Sequence, residues 1–417
     1  MAIWPTIPII VLFFGVIGPS DDDTFMAVQP ALEHPDRVSR LMLFVSESQL
    51  GQFAAMMQEP FPVLTHLSIT SQSGIVSTLP DGFLGGSAPS LQQLDLCDIL
   101  YPALPTLLLS TSNLVSLRLD NIPPTGYISP EAMVSRLATS PKLEILYIEF
   151  DKLASLRDLI ISPPITRTIL PSLLKFSYSG ACKYLEDFVS RIDTPQLNSV
   201  EICYFWGWNI NFDLPQLSTF IDRSEALKES LSRRCKVMVN EDEDLISFCV
   251  GRTNSDEAER WHPKPGILVC LADARDGQIS HLANILGYIF PVLPDMVHCT
   301  IDYVQRPMSE LESLSEEENR DGLDWLQLLH QLSSPRTLFV SDDIASVISQ
   351  ALTHVDNEII TELLPALQLL CLEGLKKEEN LSMPSVHKFL AARQDSGHPI
   401  TFVETKEEFE EKLGSYT

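Results

Sequence analysis

A short apolar phrase recurs along this chain and constrains its fold more than any other feature. The phrase is a turn residue, often Pro, followed by Leu-x-x-Leu-x-Leu, and two clear copies are Pro89–Leu96 and Pro141–Ile148. The first apolar residues of seven copies are Val38, Leu64, Leu91, Leu114, Leu143, Leu173 and Leu197. Successive copies are therefore 26, 27, 23, 29, 30 and 24 residues apart. This spacing predicts a chain of stacked repeats.

The phrase also predicts what each repeat looks like. Side chains alternate between the two faces of a strand, so Leu94 and Leu96 should share one face while Asp95 takes the other. A single such strand cannot bury its apolar face, whereas parallel stacking under helices buries a continuous core. The period matches that of leucine-rich repeats. We therefore predict an α/β leucine-rich-repeat solenoid, with a curved parallel sheet on the concave side and helices and loops on the convex side.

The repeats are predicted to occupy residues 1–375. The pattern weakens over about 203–293, where we expect divergent repeats; a small inserted domain is the alternative. The phrase recurs from Pro294 with other apolar residues in place of its leucines, and it recurs in full from Pro365. Residues 376–417 are predicted to form a C-terminal cap that shields the open end of the core, with a helix, a last strand and a charged, solvated tail.

The N-terminal segment Ile7–Ile17 is almost wholly apolar. It is shorter than the roughly 20 residues that a spanning helix needs, and the preceding Met1–Trp4 lacks the basic charge of a signal peptide. We predict a buried strand over Ile9–Phe14. The 8 cysteines include no C-x-x-C pair, which favours reduced thiols in an intracellular protein, cytoplasmic or nuclear. A secreted or membrane-associated repeat receptor is the alternative.

The charge of the chain excludes two classes of partner. Its formal net charge is −27 and its pI is about 4.6. An acidic surface repels phosphate backbones and anionic lipids, so we expect neither nucleic acid nor a membrane as partner. A protein that presents a basic surface is compatible with this charge.

Motifs that carry chemistry are absent from the sequence. It contains no G-x-S-x-G, G-x-x-x-x-G-K-[ST], G-x-G-x-x-G or H-E-x-x-H, and its histidines stand singly. We therefore expect no catalytic residues, no cofactor and no metal, and hence no enzyme. The remaining candidate is the concave face, where solenoids usually bind proteins. Its outward strand positions give the candidate partner-binding residues His66, Gln93, Asp95, Arg118, Asp120, Tyr147, Glu149, Lys175 and Glu201.

Four longer phrases carry a family resemblance: His34–Val38, Leu79–Pro89, Gly126–Val134 and Phe389–Gln394. Together they resemble the F-box and leucine-rich-repeat proteins of mushroom-forming (basidiomycete) fungi. In that family an F-box ahead of the repeats recruits the Skp1-type adaptor of a cullin–RING ubiquitin ligase, and the repeats present a substrate.

The resemblance implies a protein-binding module similar to the substrate-recognition part of an F-box receptor. No candidate F-box helices precede the repeats here, so we do not expect this sequence to bind the adaptor. A stand-alone scaffold without a ligase role is a further alternative.

Overall fold

The computed structural model describes residues 7–15, 28–72, 76–151, 166–205, 213–231, 233–240, 245–251, 266–272, 278–293, 296–304, 318–352, 362–374 and 383–416. The chain divides into two compact units. The first comprises residues 1–200 and Arg223–Ala226, and the second comprises Glu201–Asp222 and Leu227–Thr417. Each unit combines mostly parallel strands with helices, so the predicted α/β class is confirmed. The predicted division into 1–375 and 376–417 stays a prediction.

The first unit is built on parallel strands that follow the repeated phrase. Its strands are β1 (Ile9–Phe14), β2 (Val38–Val45), β3 (His66–Ser71), β4 (Ser77–Thr78), β5 (Gln93–Cys97), β6 (Ile99–Leu100), β7 (Ser116–Ile122), β8 (Ile145–Phe150), β9 (Thr168–Ile169), β10 (Lys175–Gly180) and β11 (Ile192–Asp193). Seven of them pair in the order β1-β2-β3-β5-β7-β8-β10, each parallel to its neighbour. Two short parallel pairs, β4 with β6 and β9 with β11, lie in the segments that connect successive strands of this sheet.

The return segments contain the helices of the first unit. Residues 28–32 are helical, and the further helices are α1 (Glu47–Met56), α2 (Leu104–Leu108), α3 (Pro130–Leu137) and α4 (Cys182–Ser190). The residues at the start of α3 explain why it begins there: Ser129 is the N-cap, its side chain accepts a hydrogen bond from the Ala132 amide, and Pro follows at N1.

The apolar positions of the phrase line up across these strands. One row in register is Val11, Leu41, Leu67, Leu94, Leu117, Leu146 and Phe176. Two residues further on, a second row is Phe13, Leu43, Ile69, Leu96, Leu119, Ile148 and Tyr178. Every member of both rows is buried. The alternation predicted from the phrase therefore places one continuous apolar core on one face of the sheet.

Hydrogen bonds between successive repeats hold several of the turns that precede the strands. Ser90 Oγ donates to the Pro62 carbonyl (2.5 Å), Asn113 Nδ2 to that of Pro89 (3.1 Å), and Ser172 Oγ to that of Pro141 (2.9 Å). The turn Pro in these copies therefore serves twice. It stops the preceding segment, and its carbonyl accepts a bond from the next repeat.

Aromatic rings fill the core where α4 covers β8 and β10. Tyr184 lies 4.7 Å from Phe150 and 5.8 Å from Tyr178, centroid to centroid. The two tyrosines differ in one respect. The Tyr178 hydroxyl donates to the Ala181 carbonyl (2.8 Å), whereas in the described part of the chain no group hydrogen-bonds the buried Tyr184 hydroxyl. Burying an unsatisfied hydroxyl costs about 1–3 kcal/mol.

We expect Tyr184→Phe and Tyr178→Phe to change stability in opposite directions. Removing the unsatisfied Tyr184 hydroxyl should raise the free energy of unfolding by about 1 kcal/mol, and removing the bonded Tyr178 hydroxyl should lower it by about 1 kcal/mol. Urea denaturation, with hydrogen exchange at α4 as a local probe, measures both. Two changes of equal sign would contradict this account of the aromatic cluster.

The second unit also alternates strands and helices. Its strands are β12 (Ser199–Phe205), β13 (Arg234–Asn240), β14 (Leu245–Gly251), β15 (Gly266–Ala272), β16 (His298–Val304), β17 (Thr337–Val340), β18 (Leu369–Leu372) and β19 (Thr401–Val403). Its helices are α5 (Pro215–Arg223), α6 (Glu225–Ser230), α7 (Gln278–Ile289), α8 (Glu318–Gln331), α9 (Asp342–Ala351), α10 (Met383–Asp395) and α11 (Lys406–Leu413). The strand order is β12-β15-β14-β13-β16-β17-β18-β19.

Strands β13, β14 and β15 depart from the predicted parallel arrangement. β14 pairs antiparallel with both β13 and β15, so the parallel pairing predicted for the solenoid does not hold for this strand, and whether residues 203–293 are divergent repeats or an inserted domain stays open. Only residues 241–244 separate β13 from β14. A parallel crossover needs a dozen or more residues, whereas a hairpin needs only a few. On its other side β13 pairs parallel with β16, and the pairing continues parallel through β17, β18 and β19.

The charged C-terminal tail is a helix, α11, whose charged side chains are exposed as predicted and whose apolar residues pack against the core. Thr405 caps α11 by accepting from the Glu408 amide. Phe409 is buried and its ring lies 5.5 Å from that of Phe339 on β17. Leu413, one turn later, packs against the same cluster. Two apolar residues at i and i+4 give this otherwise charged segment a face to bury.

Membrane-spanning character was also tested against the structure. Within the described ranges, no helix is both long enough and apolar enough to cross a lipid bilayer.

Candidate functional site

The outward strand positions of the first unit form rows in register, like the core positions behind them. The middle row runs Ser68, Asp95, Arg118, Tyr147 and Ser177 across β3, β5, β7, β8 and β10. Each of these residues sits between two buried apolar residues of the phrase. Side chains that are far apart in sequence thereby become neighbours on adjacent strands, about 4.8 Å apart.

Arg118 is the centre of a polar cluster on this face. Its Nη2 lies 2.7 Å from Asp120 Oδ2, and its Nε donates to the same oxygen at 3.2 Å. Its guanidinium carbon lies 4.4 Å from the centroid of the Tyr147 ring, which is within cation–π range. The Tyr147 hydroxyl in turn donates to Glu149 Oε2. Four of the predicted residues, Arg118, Asp120, Tyr147 and Glu149, are therefore held in one arrangement; we call them the Arg118 cluster.

Burial shifts the ionisation of this cluster and its neighbours. It raises the pKa of Asp95, and the nearby Arg118 guanidinium only partly offsets the rise. It also raises the pKa of Glu149 against the opposing hydrogen bond from Tyr147. Burial alone would lower the pKa of Arg118, but its hydrogen bond and charge attraction with Asp120 raise that pKa overall.

Two further groups keep their protons. Burial, helped by the hydrogen bond with Glu149, raises the pKa of Tyr147. Burial and the charges of Asp120 and Asp98 raise the pKa of the neighbouring Cys97 thiol to about 12. At neutral pH neither group is an activated nucleophile.

The raised carboxyl pKa values predict how stability depends on pH. Folded Asp95 and Glu149 hold protons at a pH where the unfolded chain, with pKa values of about 3.9 and 4.3, has released them. Their contribution to the free energy of unfolding is therefore largest below the unfolded pKa and is lost as pH rises through the folded pKa. We expect Asp95→Asn plus Glu149→Gln to flatten the decline of stability with pH above about pH 4. Carbon-detected NMR titration should place both midpoints above the unfolded values; midpoints below them would contradict the assignment.

Three other predicted residues lie in the row nearer the start of the strands. His66, Gln93 and Lys175 share this row with Ser116 and Ile145. The row is one strand repeat of two residues, about 6.6 Å, from the middle row. His66 Nδ1 is 2.7 Å from Thr65 Oγ1. These side chains are on the predicted face but outside the Arg118 cluster.

Glu201, the ninth predicted residue, belongs to the second unit. It lies on β12 between the buried Val200 and Ile202, so it takes the outward position that the phrase predicts. The second unit has an outward ion pair of its own, Lys236 Nζ to Asp302 Oδ2 at 2.7 Å. That any of the nine residues binds a partner stays a prediction.

Sequence reasoning missed the apolar part of this face. Ile9–Phe14 is a strand as predicted, but full burial is wrong, because only Val11 and Phe13 are in the core while Ile10, Leu12 and Phe14 are exposed. Met42 and Phe44 on β2 are exposed as well. The same alternation that turns Asp95 outward applies to them. Because every residue of β1 is apolar, its sequence does not display the alternation, and the exposed positions could not be identified from it.

Two left-handed residues shape the end of β5 and β7. Asp98 and Asn121 have φ values of 57° and 52°, a region that Asn and Asp enter more readily than most residues. The Asn121 side-chain amide donates to Asp98 Oδ1, and the Asp98 amide donates to the Asp120 carbonyl at 3.2 Å. This link fixes the strand ends beside Cys97 and Asp120.

The described residues bring no three His, Cys, Asp or Glu side chains into an arrangement that could hold a metal ion. What this face offers is a pre-arranged set of charged, aromatic and apolar groups on rigid strands. In comparisons with known proteins, no model of a protein family matches the chain, and no curated protein sequence matches it either.

Proposed function

We propose that this chain is a protein-binding leucine-rich-repeat module of the solenoid type, whose partner binds the outward strand face of the first unit. The period of the phrase, the parallel strands and the in-register core rows support the solenoid. The observation that carries the binding role is the Arg118 cluster. Arg and Tyr dominate the energetics of protein interfaces, and here both are held by neighbours before a partner arrives.

A binding role rather than a catalytic one is supported by the protonation of the face. The Tyr147 and Cys97 side chains keep their protons at neutral pH. Arg118 is engaged with Asp120, and Tyr147 is engaged with Glu149. Groups paired in this way are suited to complement a partner, and poorly suited to take up and release protons.

The finer proposal is that the module resembles the substrate-recognition part of an F-box ubiquitin-ligase receptor. Its support is the set of sequence phrases, among them Leu79–Pro89 and Gly126–Val134. The partner would then be a protein to be ubiquitinated, and the module would be intracellular. The direct test of this finer step is whether the captured partner gains ubiquitin in cells when the chain is expressed behind an F-box, which supplies the adaptor contact that this sequence is not expected to make.

The proposed function is tested by quantitative affinity capture from a lysate of the source organism. The test protein carries Arg118→Glu and Glu149→Lys, which leaves the net charge unchanged. The matched control carries Glu131→Lys and Lys142→Glu, an equal exchange at exposed positions on α3 and its following turn. We expect a saturable partner that is retained by the wild type and the control and reduced at least tenfold by the test protein.

A partner bound equally by all three proteins would contradict the proposal, as would no partner at all. Far-UV circular dichroism checks folding. If the test protein does not fold, Gln93→Lys, at an exposed position of the same face, takes its place.

A further inference from the structure

An apolar patch lies on the outward face of β1 and β2. It consists of Ile10, Leu12, Phe14, Met42 and Phe44, which are 42–64% exposed. Leu12 is in register with Met42, and Phe14 with Phe44, so the five side chains are contiguous. Outward positions of a solvated sheet are ordinarily polar, and monomers seldom expose large contiguous apolar surface unless it binds something.

The patch continues in register into the acidic part of the same face. The middle row extends from Asp95 through Ser68 to Met42 and then Leu12. With strands about 4.8 Å apart, Met42 is about 10 Å from Asp95 and Leu12 about 19 Å from Arg118. An extended segment of about six residues covers the longer distance. One short stretch of a partner can therefore touch both regions.

The charged residues of this face indicate which side chains the partner segment carries beside its apolar ones. Asp120 and Glu149 of the Arg118 cluster and the adjacent Asp95 give three carboxyl groups against one guanidinium, that of Arg118, which Asp120 already engages. Two basic residues, Arg40 on β2 and Lys175 on β10, lie in the row nearer the start of the strands, where Arg40 is in register with Ile10 of the patch. The whole chain carries −27, so a second copy or an acidic partner is repelled, and a basic one is attracted.

Resting on the protein-binding function proposed above, we propose that the partner contributes a segment in which apolar side chains adjoin basic ones. The apolar side chains cover Leu12, Phe14 and Met42, and a Lys or Arg faces Asp95 and Glu149. Burial of the patch supplies affinity, and the carboxylates select against acidic competitors and set the direction in which the segment lies.

The test uses the full chain and four fluorescein-labelled synthetic 12-residue peptides, with fluorescence anisotropy as readout. One peptide joins a Leu/Phe block to a Lys/Arg block. The others replace the basic block by Glu/Asp, replace the apolar block by Ser, or scramble the first. We expect the apolar–basic peptide to bind at least tenfold more tightly than each of the others.

Variants of the chain locate the binding. Leu12→Ser with Phe14→Ser should weaken the apolar–basic peptide at least tenfold, and Asp95→Asn with Glu149→Gln should weaken it several-fold and reduce its salt dependence. Ile169→Ser is the matched control, because Ile169 is as exposed as Phe14 but lies on β9; it should change nothing. Equal affinity for the apolar–acidic peptide, or no effect of the β1 variant, overturns the proposal. So does sedimentation that shows a dimer lost on Leu12→Ser, since the patch then binds a second copy.

The outcome separates this inference from the proposed function. A captured partner that is lost on Arg118→Glu with Glu149→Lys, yet retained by Leu12→Ser with Phe14→Ser, leaves the protein-binding function standing and refutes the apolar–basic segment. If neither the Arg118/Glu149 variant nor the Leu12/Phe14 variant loses the captured partner, the proposed binding at this face is itself refuted.

Discussion

Leu117→Ala should destabilise the first unit by about 2–5 kcal/mol, the cost of truncating a buried leucine. Leu117 is fully buried in the core row between Leu94 and Leu146 on the adjacent strands. Truncating the Leu117 side chain leaves a cavity. The neighbouring strands cannot move in to fill it without breaking the hydrogen bonds between successive turns. The adjacent Ser116→Ala is the control, because Ser116 faces outward on the same strand and should cost within about 0.5 kcal/mol.

The measurement must report on the first unit, because two compact units need not unfold together. Hydrogen exchange of peptides from β5, β7 and β8 gives the local opening free energy. Similar values for the two variants would contradict the assignment of Leu117 to the core and Ser116 to the outward face.

Tyr147→Ala should weaken binding of the captured partner by about 2 kcal/mol, roughly 30-fold in affinity. The substitution removes the ring beneath the Arg118 guanidinium and the donor to Glu149 together. Both groups lose the neighbour that orients them, so the partner meets a disordered surface instead of a prepared one. Stability should change far less than in Leu117→Ala, because Tyr147 is only half-buried.

Tyr147→Phe separates the two roles of this residue. It keeps the ring under Arg118 and removes only the hydroxyl, so it should retain most of the affinity. Isothermal titration calorimetry with the purified partner measures both variants, and Lys142→Ala in the exposed turn serves as control. If Tyr147→Ala and Lys142→Ala bind alike, the Arg118 cluster is not the centre of the interface.

Much of the first unit could be predicted from sequence because one rule governs it. Asp95, Arg118 and Tyr147 follow the second apolar residue of their phrases, so the alternation of a strand puts them outward and the stacking of repeats puts them in one row. What the rule cannot supply is the direction of each side chain. The bonds from Arg118 to Asp120 and from Tyr147 to Glu149 depend on rotamers, and rotamers follow from packing that a single sequence does not display.

Three other features could not be predicted from the sequence, each for its own physical reason: the exposed face of β1, the direction of β14 and the packing of α11. In β1 every residue is apolar, so the period of two carries no signal, and the exposure of Leu12 follows only from knowing which face the helices cover. The antiparallel direction of β14 follows from the four-residue connection between β13 and β14. The repeat pattern on both sides favours parallel strands, and it masks this local feature of the sequence. In α11 only Phe409 and Leu413 pack against the core, and two apolar residues in a charged segment are a weak pattern.

Carboxylate footprinting of the purified complex tests the central claim most directly. Carbodiimide-activated labelling, read by mass spectrometry, reports the accessibility of each Asp and Glu with and without the captured partner. We expect the partner to lower the labelling of Asp95, Asp120 and Glu149 on the strand face and to leave that of Glu131 and Glu144, on the helix and turn side, unchanged. Protection of Glu131 and Glu144 with unchanged labelling of the strand face would contradict it.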